Sequence, residues 1–172
     1  MRDDRSKWTP AEPLTEPLLL NGAELVQVSV PRQTLISGVS VLSGVTPAHG
    51  WPEIATGDLY RIALRRDRVV EVGGPKQPDG WHPDRQEAIS DVSEAFTVFE
   101  ISGRGAFDLL KRGTELSLEQ PSKSVVRKLF GFDFWLYRYG AADRFRLHIA
   151  HPYCEAFKAT LKAVSAVMPE EL

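Results

Sequence analysis

Apolar and polar side chains alternate most clearly late in the chain. Phe145, Leu147 and Ile149 alternate with Arg144, Arg146 and His148, which predicts a strand with one wet face. Pro152 follows at a first helical position. Tyr153, Phe157, Leu161, Val164 and Met168 then recur at helical spacing as one apolar stripe, which Pro169 closes. Upstream, residues 95–101 (AFTVFEI) are β-branched and aromatic and read as a strand, broken by Ser102-Gly103. Ala106, Leu109 and Leu110 fall at helical spacing, Lys111 and Arg112 face the negative end of that helix, and Gly113 sits at its C-terminus. Between the two strand–helix pairs lie two extended runs, 125–130 and 132–139, hinged at Gly131.

The first half is patterned for strands. Leu25, Gln27 and Ser29 alternate with Val26, Val28 and Val30. Residues 35–45 (LISGVSVLSGV) read as a buried strand in which Gly38 and Gly44 mark a bulge or a close approach. Residues 46–57 read as a loop from their Pro and Gly content. Residues 59–64 and 69–72 read as two strands turned around Arg66-Asp67. A second loop covers 73–83, with Trp81 expected to anchor it, and 83–89 reads as one helical turn. Strands therefore precede and flank two helices, which implies an α+β protein with its helices packed on one face of a sheet. Residues 1–17 are charged and broken by Pro10, Pro13 and Pro17, and read as a flexible arm carrying one aromatic, Trp8, ahead of a single domain over 18–172.

Composition narrows the function. Hydrophobic content of 42% and charged content of 26% are those of an ordinary globular protein. A net charge of −2 gives no electrostatic reason to expect nucleic acid or an anionic membrane. No apolar run approaches a membrane span, and the first ten residues carry acids and lack the apolar core of a signal peptide. Cys154 is the one cysteine, so no internal disulfide forms, and the expected compartment is the cytoplasm.

Several groups are candidates for chemistry, each beside a bland alternative. His148 and His151 are three apart but straddle a strand end and a helix start, and no cysteine or carboxylate set completes a metal site around them. Cys154 stands near a helix N-terminus, where a thiolate would be stabilised, but it equally suits a small buried position. Ser102-Gly103-Arg104-Gly105 opens a helix and could offer N–H groups to an anion, or be a plain strand-to-helix turn. Trp135, Tyr137 and Tyr139 share one face of their strand, and Phe132, Phe134 and Leu136 the other, so both faces want cover. This chain's helices meet one face. Its N-terminal strands or another protein would meet the second, and Trp8, Trp135 and Tyr137 are the candidate partner-interface residues.

The order Asp91-Val92-Ser93, an apolar strand, then S-G-x-x-A-x-x-L-L-x-x-G over 102–113 resembles the amino-terminal half of the folate-binding aminomethyltransferase (T-protein) superfamily. With FDFWLYRYG and FRL leading to the last helix, it is most similar to the small gamma subunit of heterotetrameric sarcosine oxidase. The resemblance covers the carboxy-terminal half. It implies a ferredoxin-like antiparallel sheet of the aminomethyltransferase folate-binding type. It also implies a non-catalytic accessory subunit whose chief partner is the large folate-domain subunit, in a complex that oxidatively demethylates sarcosine and passes the one-carbon unit to tetrahydrofolate. Flavin, NAD, zinc and tetrahydrofolate are then expected on partner subunits and none on this chain. Asp133, ahead of FWLYR, matches an aspartate that serves folate-linked chemistry in the enzymes of the superfamily, and is the one weak catalytic candidate. Two other readings stay open: a free-standing folate or small-molecule binder of the same superfamily, and a self-associating scaffold.

Overall fold

The computed structural model describes residues 12–43 and 46–168, so Trp8 and Pro169 lie outside the described residues. The chain begins with a hairpin of β1 (Leu18–Leu20) and β2 (Ala23–Val28). Next come β3 (Gln33–Ser37), β4 (Ala48–His49), β5 (Ile54–Ala55), β6 (Tyr60–Arg65), β7 (Arg68–Val72), β8 (Gly80–His82) and β9 (Glu87–Asp91). The chain continues as β10 (Phe96–Ser102), α1 (Ala106–Gly113), β11 (Val126–Leu129), β12 (Phe132–Tyr139) and β13 (Phe145–Ala150). A 3₁₀ turn, His151–Tyr153, feeds α2 (Cys154–Ala166), with Pro152 in its first positions.

Among the described residues the strands form two sheets. The first runs β1-β2-β10-β13-β12-β11, with β5 added beside the far end of β12; the second runs β4-β6-β7-β3-β9-β8. Pairing is antiparallel except for β4 with β6 and β5 with β12. In the first sheet α1 carries the chain from β10 past the position of β13 to the β11–β12 hairpin, and β13 then inserts between β10 and β12. That is the split β-α-β arrangement of a ferredoxin-like sheet, with the fourth strand supplied by β2 from the N-terminal side. The fold is α+β with both helices on one face.

The helix face shows why the carboxy-terminal pattern was legible. Phe99, Ile101, Phe134, Leu136, Phe145, Leu147 and Ile149 are buried under α1 through Ala106, Leu109 and Leu110, and under α2 through Phe157 and Leu161. Cys154 heads the buried face of α2, displacing Tyr153 from the expected stripe, for Tyr153 is 53% exposed.

The opposite face corrects the sequence reading. The side of β13 expected to be wet is covered by the second sheet, and His148 is fully buried. Alternation reports that a strand has two kinds of face, not what lies over each. A polar face can be buried wherever its groups find hydrogen bonds. The same sheet covers Tyr137, which packs with Tyr60, Ile62, Leu64, Val70 and Val72. Tyr137 therefore presents no surface to a partner and is withdrawn as an interface residue.

Smaller corrections follow the same logic. The strand expected over 35–45 ends at Ser37, and Val39 is exposed. Gly38 marks a close approach: a Cβ there would lie 2.8 Å from the Gln86 carbonyl oxygen. Residues 83–89 turn only as far as Gln86 before β9 begins at Glu87. Trp81 anchors nothing, being 63% exposed on the edge strand β8. Part of the expected arm is tied down: Leu14 packs on the core and donates its N–H to Gln27 Oε1 (2.9 Å), and Lys158 Nζ donates to the Glu12 carbonyl. Among the described residues no helix is long and apolar enough to cross a membrane.

Candidate functional site

Two arrangements of polar and aromatic residues stand out, one buried between the sheets and one open at the flank. The buried one is a directional chain of hydrogen bonds. Arg146 Nη1 donates to Tyr60 Oη (3.0 Å), Tyr60 and Tyr137 are linked through their hydroxyls (2.8 Å), Tyr137 Oη meets His148 Nε2 (2.8 Å), and His148 Nδ1 meets Gln33 Oε1 (2.7 Å). The ends set the direction, because a guanidinium only donates and an amide oxygen only accepts. Tyr60 therefore donates to Tyr137, Tyr137 donates to His148 Nε2, and His148 carries its proton on Nδ1. Gln33 Nε2 continues the chain to the Ser93 carbonyl (3.5 Å).

Electrostatics agree with that assignment. Burial, then the nearby Arg146 charge, lowers the His148 pKa to about 3, so the imidazole is neutral. Burial raises the Tyr60 and Tyr137 hydroxyls above their ordinary range, so both stay protonated donors. Arg146 is held from its other side by Glu100 Oε2 (3.2 Å), and its guanidinium carbon lies 3.2 Å from the Tyr139 ring centroid.

The chain ends on the motif that carried the family resemblance. Asp91 Oδ1 accepts from the Ser93 N–H (3.0 Å) and the Ser93 hydroxyl (2.6 Å), and Ser93 Oγ accepts from the Gln33 N–H (3.0 Å). These bonds to Ser93 hold the Asp91 carboxyl below its ordinary range. Asp91-Val92-Ser93 is thus the turn by which the chain passes from the second sheet to the first. It fixes the Gln33 side chain that orients His148. Each member is paired within the chain, so the arrangement joins two sheets and does not face a substrate.

The open arrangement lies where the second sheet stops. Phe96, Val126, Asp133, Trp135, Ala150 and Tyr153 line a groove of about 420 Å³ beside Phe132 and Phe134. Trp135 is half-buried, with its ring 4.0 Å from Phe96 and 5.4 Å from His148, so it continues the inter-sheet layer out to the surface. Asp133 is exposed on β12 and stands in register with Lys128 of the edge strand β11. The structure therefore brings two sequence candidates, Asp133 and Trp135, to one groove.

The remaining candidates are spent internally. Cys154 is buried, and burial pushes its thiol up, away from a reactive thiolate. The Ser102-Gly103-Arg104-Gly105 turn is pressed against the β1–β2 hairpin turn. Gly103 has φ of 110°, a Cβ there would lie 2.6 Å from the Gly22 carbonyl oxygen, and the Gly105 N–H donates to that same oxygen (2.8 Å). The Gly105 N–H, which could have met an anion, thus closes a backbone contact to the hairpin turn. His151 Nδ1 bonds Thr97 Oγ1 (2.9 Å), apart from His148. Among the described residues no group of three or more His, Cys, Asp or Glu is placed to hold a metal ion. Sequence reading missed Gln33, Tyr60, Glu100 and Arg146 as one system. The available signal was the polar register of β13, which puts Arg146 and His148 on the face that Tyr137 occupies on β12.

No protein-family model matches the chain, and no curated protein does. Among solved structures it matches a chain of the heterotetrameric sarcosine oxidase from Corynebacterium sp. U-96, solved in complex with pyrrole 2-carboxylate. The TM-score is 0.68 at 14% sequence identity, over 90% of this chain and 90% of that one. At that identity the likeness is one of fold, and at 90% of the chain it reaches beyond the carboxy-terminal half in which the resemblance was read.

Proposed function

We propose that this chain is a non-catalytic, gamma-like subunit of a heterotetrameric sarcosine-oxidase-type complex. The observation that supports the reading is the likeness of fold over nine-tenths of this chain and of one chain of such a complex. The resemblance through Asp91-Val92-Ser93 and 102–113 points the same way. So does the internal engagement of Cys154, His148 and the glycine-rich turn. In this reading the groove at Trp135 and the aromatic Trp8 dock on the large folate-domain subunit. The flavin, NAD, zinc and tetrahydrofolate of the reaction belong to the partner subunits, and the complex works in the cytoplasm.

The test is co-expression with the large and small subunits of the candidate complex, followed by purification through a tag on this chain. A stoichiometric complex is expected, with Trp135→Ala and Trp8→Ala each weakening assembly by about 2 kcal/mol or more if they are hot spots. A chain that stays alone, or that purifies yellow or with stoichiometric zinc, refutes the reading.

A second reading has one observation in its favour. Asp133 shares its groove with Phe96, Trp135 and Tyr153, and a carboxylate beside aromatic rings suits a flat, hydrogen-bonding ring such as a pterin. Calorimetric titration with a reduced folate separates the two. Micromolar binding abolished by Asp133→Asn would promote a folate binder over an accessory subunit.

A further inference from the structure

The flank beyond Trp135 carries a longer feature. Three depressions adjoin there. The Trp135 groove meets a second, of about 390 Å³, at Val126. The second meets a third, of about 470 Å³, at Leu42, Ser122 and Lys123. Together they form one trough along segment 122–126, which bends at Lys123. Its two ends are largely apolar, with Trp135 and Tyr153 at one and Pro47 and Pro52 at the other. Its middle is cationic. Arg65, Arg66 and Lys123 line it, all exposed, and among the described residues none of the three is in an ion pair. The acids on the trough, Glu53 and Asp133, stand at its two ends.

We propose that this trough receives an extended segment of a partner polypeptide with an acidic centre and an apolar or aromatic residue at each end. The inference deepens the docking reading given above and rests on it for the Trp135 end. Charge placement selects the occupant. A nucleic acid strand carries a phosphate at every nucleotide and would set phosphates against both Glu53 and Asp133. A polypeptide can put carboxylates over Arg65, Arg66 and Lys123 and uncharged residues over the ends. Segment 122–126 forms one wall of the trough and sets Lys123 on the same lining as Arg65 and Arg66. Recognition is through side chains and not by adding a strand. The Ser124 and Val126 N–H groups of this wall already donate to Ser122 Oγ and Ser124 Oγ (both 3.1 Å), and the Val125 N–H to the Ala63 carbonyl (2.9 Å).

The test is nuclear magnetic resonance titration of the full chain with three probes. One is a capped peptide of about ten residues with consecutive Glu and Asp at its centre and Trp and Phe near its ends. The second is the same peptide with Gln and Asn for Glu and Asp, and the third is a single strand of thymidine DNA of equal length. The acidic peptide should shift the amides of Arg65, Arg66, Lys123 and Val126 and the Trp135 indole. Its affinity should fall at least about tenfold in the triple variant Arg65→Glu, Arg66→Glu, Lys123→Glu, whose melting temperature should stay close to that of the parent. Equal binding of the uncharged peptide, shifts away from the trough, displacement of the peptide by the DNA, or no binding at about 1 mM would overturn the proposal. Failure to assemble with a sarcosine-oxidase-type partner, with the acidic peptide still bound in the trough, removes the function proposed above and leaves this inference standing. Normal assembly of the parent chain, with no binding of the acidic peptide to it, does the reverse.

Discussion

His148 makes the stability of this fold depend on pH, in a direction and by an amount that can be worked out. The imidazole is fully buried, accepts from Tyr137 and donates to Gln33. Burial, then Arg146, depresses its pKa from 6.5 to about 3. Between those values the unfolded chain binds a proton that the folded chain refuses. Stability is therefore fully present above about pH 6.5 and falls as the pH drops towards 3, by about 1.4 kcal/mol per pH unit. From about pH 7 to about pH 5 the loss is about 2 kcal/mol, a large part of the stability of a domain this size. Carboxylates contribute their own slope, so the measurement is a difference. His148→Gln keeps an acceptor and a donor at the site but does not titrate. Urea melts of both proteins at the two pH values should show wild type losing about 2 kcal/mol more than the variant. Equal slopes, or a native imidazole that titrates near 6.5 by nuclear magnetic resonance, would refute the buried, neutral assignment.

Three further outcomes test the packing. Tyr137→Phe removes the donor to His148 Nε2 and the acceptor for Tyr60, and should cost about 1–3 kcal/mol in the same melts at neutral pH. Leu161→Ala, buried beneath α2, should cost about 2–5 kcal/mol, whereas exposed Lys162→Ala should stay within about 0.5 kcal/mol; similar small effects would mean the wrong helix face. Gly103→Ala forces a side chain onto φ of 110° and against the Gly22 carbonyl, and should cost about 1–3 kcal/mol or more; a neutral result would mean the two turns are not in contact.

The parts of the fold legible in the sequence are those where one periodicity has one cause. β10, α1, β12, β13 and α2 all bury a face in the same layer, so their apolar spacing and their turn residues agree. The second sheet was half legible. β3, β6 and β7 carry apolar residues on the face they turn inward, but β4 and β8 are two and three residues long, too short for a pattern to register. β9 reads EAISD, with one fully buried side chain, Ile89, and takes its strand form from pairing with β3. The candidate site was legible as residue types and not as an arrangement. Gln33, Tyr60, Tyr137 and His148 are brought together from four strands of two sheets, and the separations along the chain reach 115 residues. No local pattern carries that.

The point at which the second sheet ends decides which aromatic residues can work at a surface. Along β12, Tyr137 and Trp135 sit two residues apart on the same face, so sequence treats them alike. Tyr137 lies under β6 and is locked by Tyr60 and His148, whereas Trp135 packs at the margin of the same inter-sheet cluster, half-buried, with its ring on Phe96. The hydroxyl of Tyr137 is satisfied inside. The indole of Trp135 stands at the mouth of a groove with apolar walls and an acid at its rim. Exchanging the two residues' roles would leave either a phenol unpaired in the core or an indole without a groove. Trp135→Ala should therefore reduce docking and cost the fold less than Tyr137→Phe does, its loss being confined to the packing on Phe96 and His148. Tyr137→Phe should do the opposite, lowering stability while leaving assembly of the folded fraction intact. The decisive comparison is assembly measured beside a thermal melt for both variants. If Trp135→Ala lowers the melting temperature as much as Tyr137→Phe does, Trp135 belongs to the inter-sheet core and the docking surface lies elsewhere.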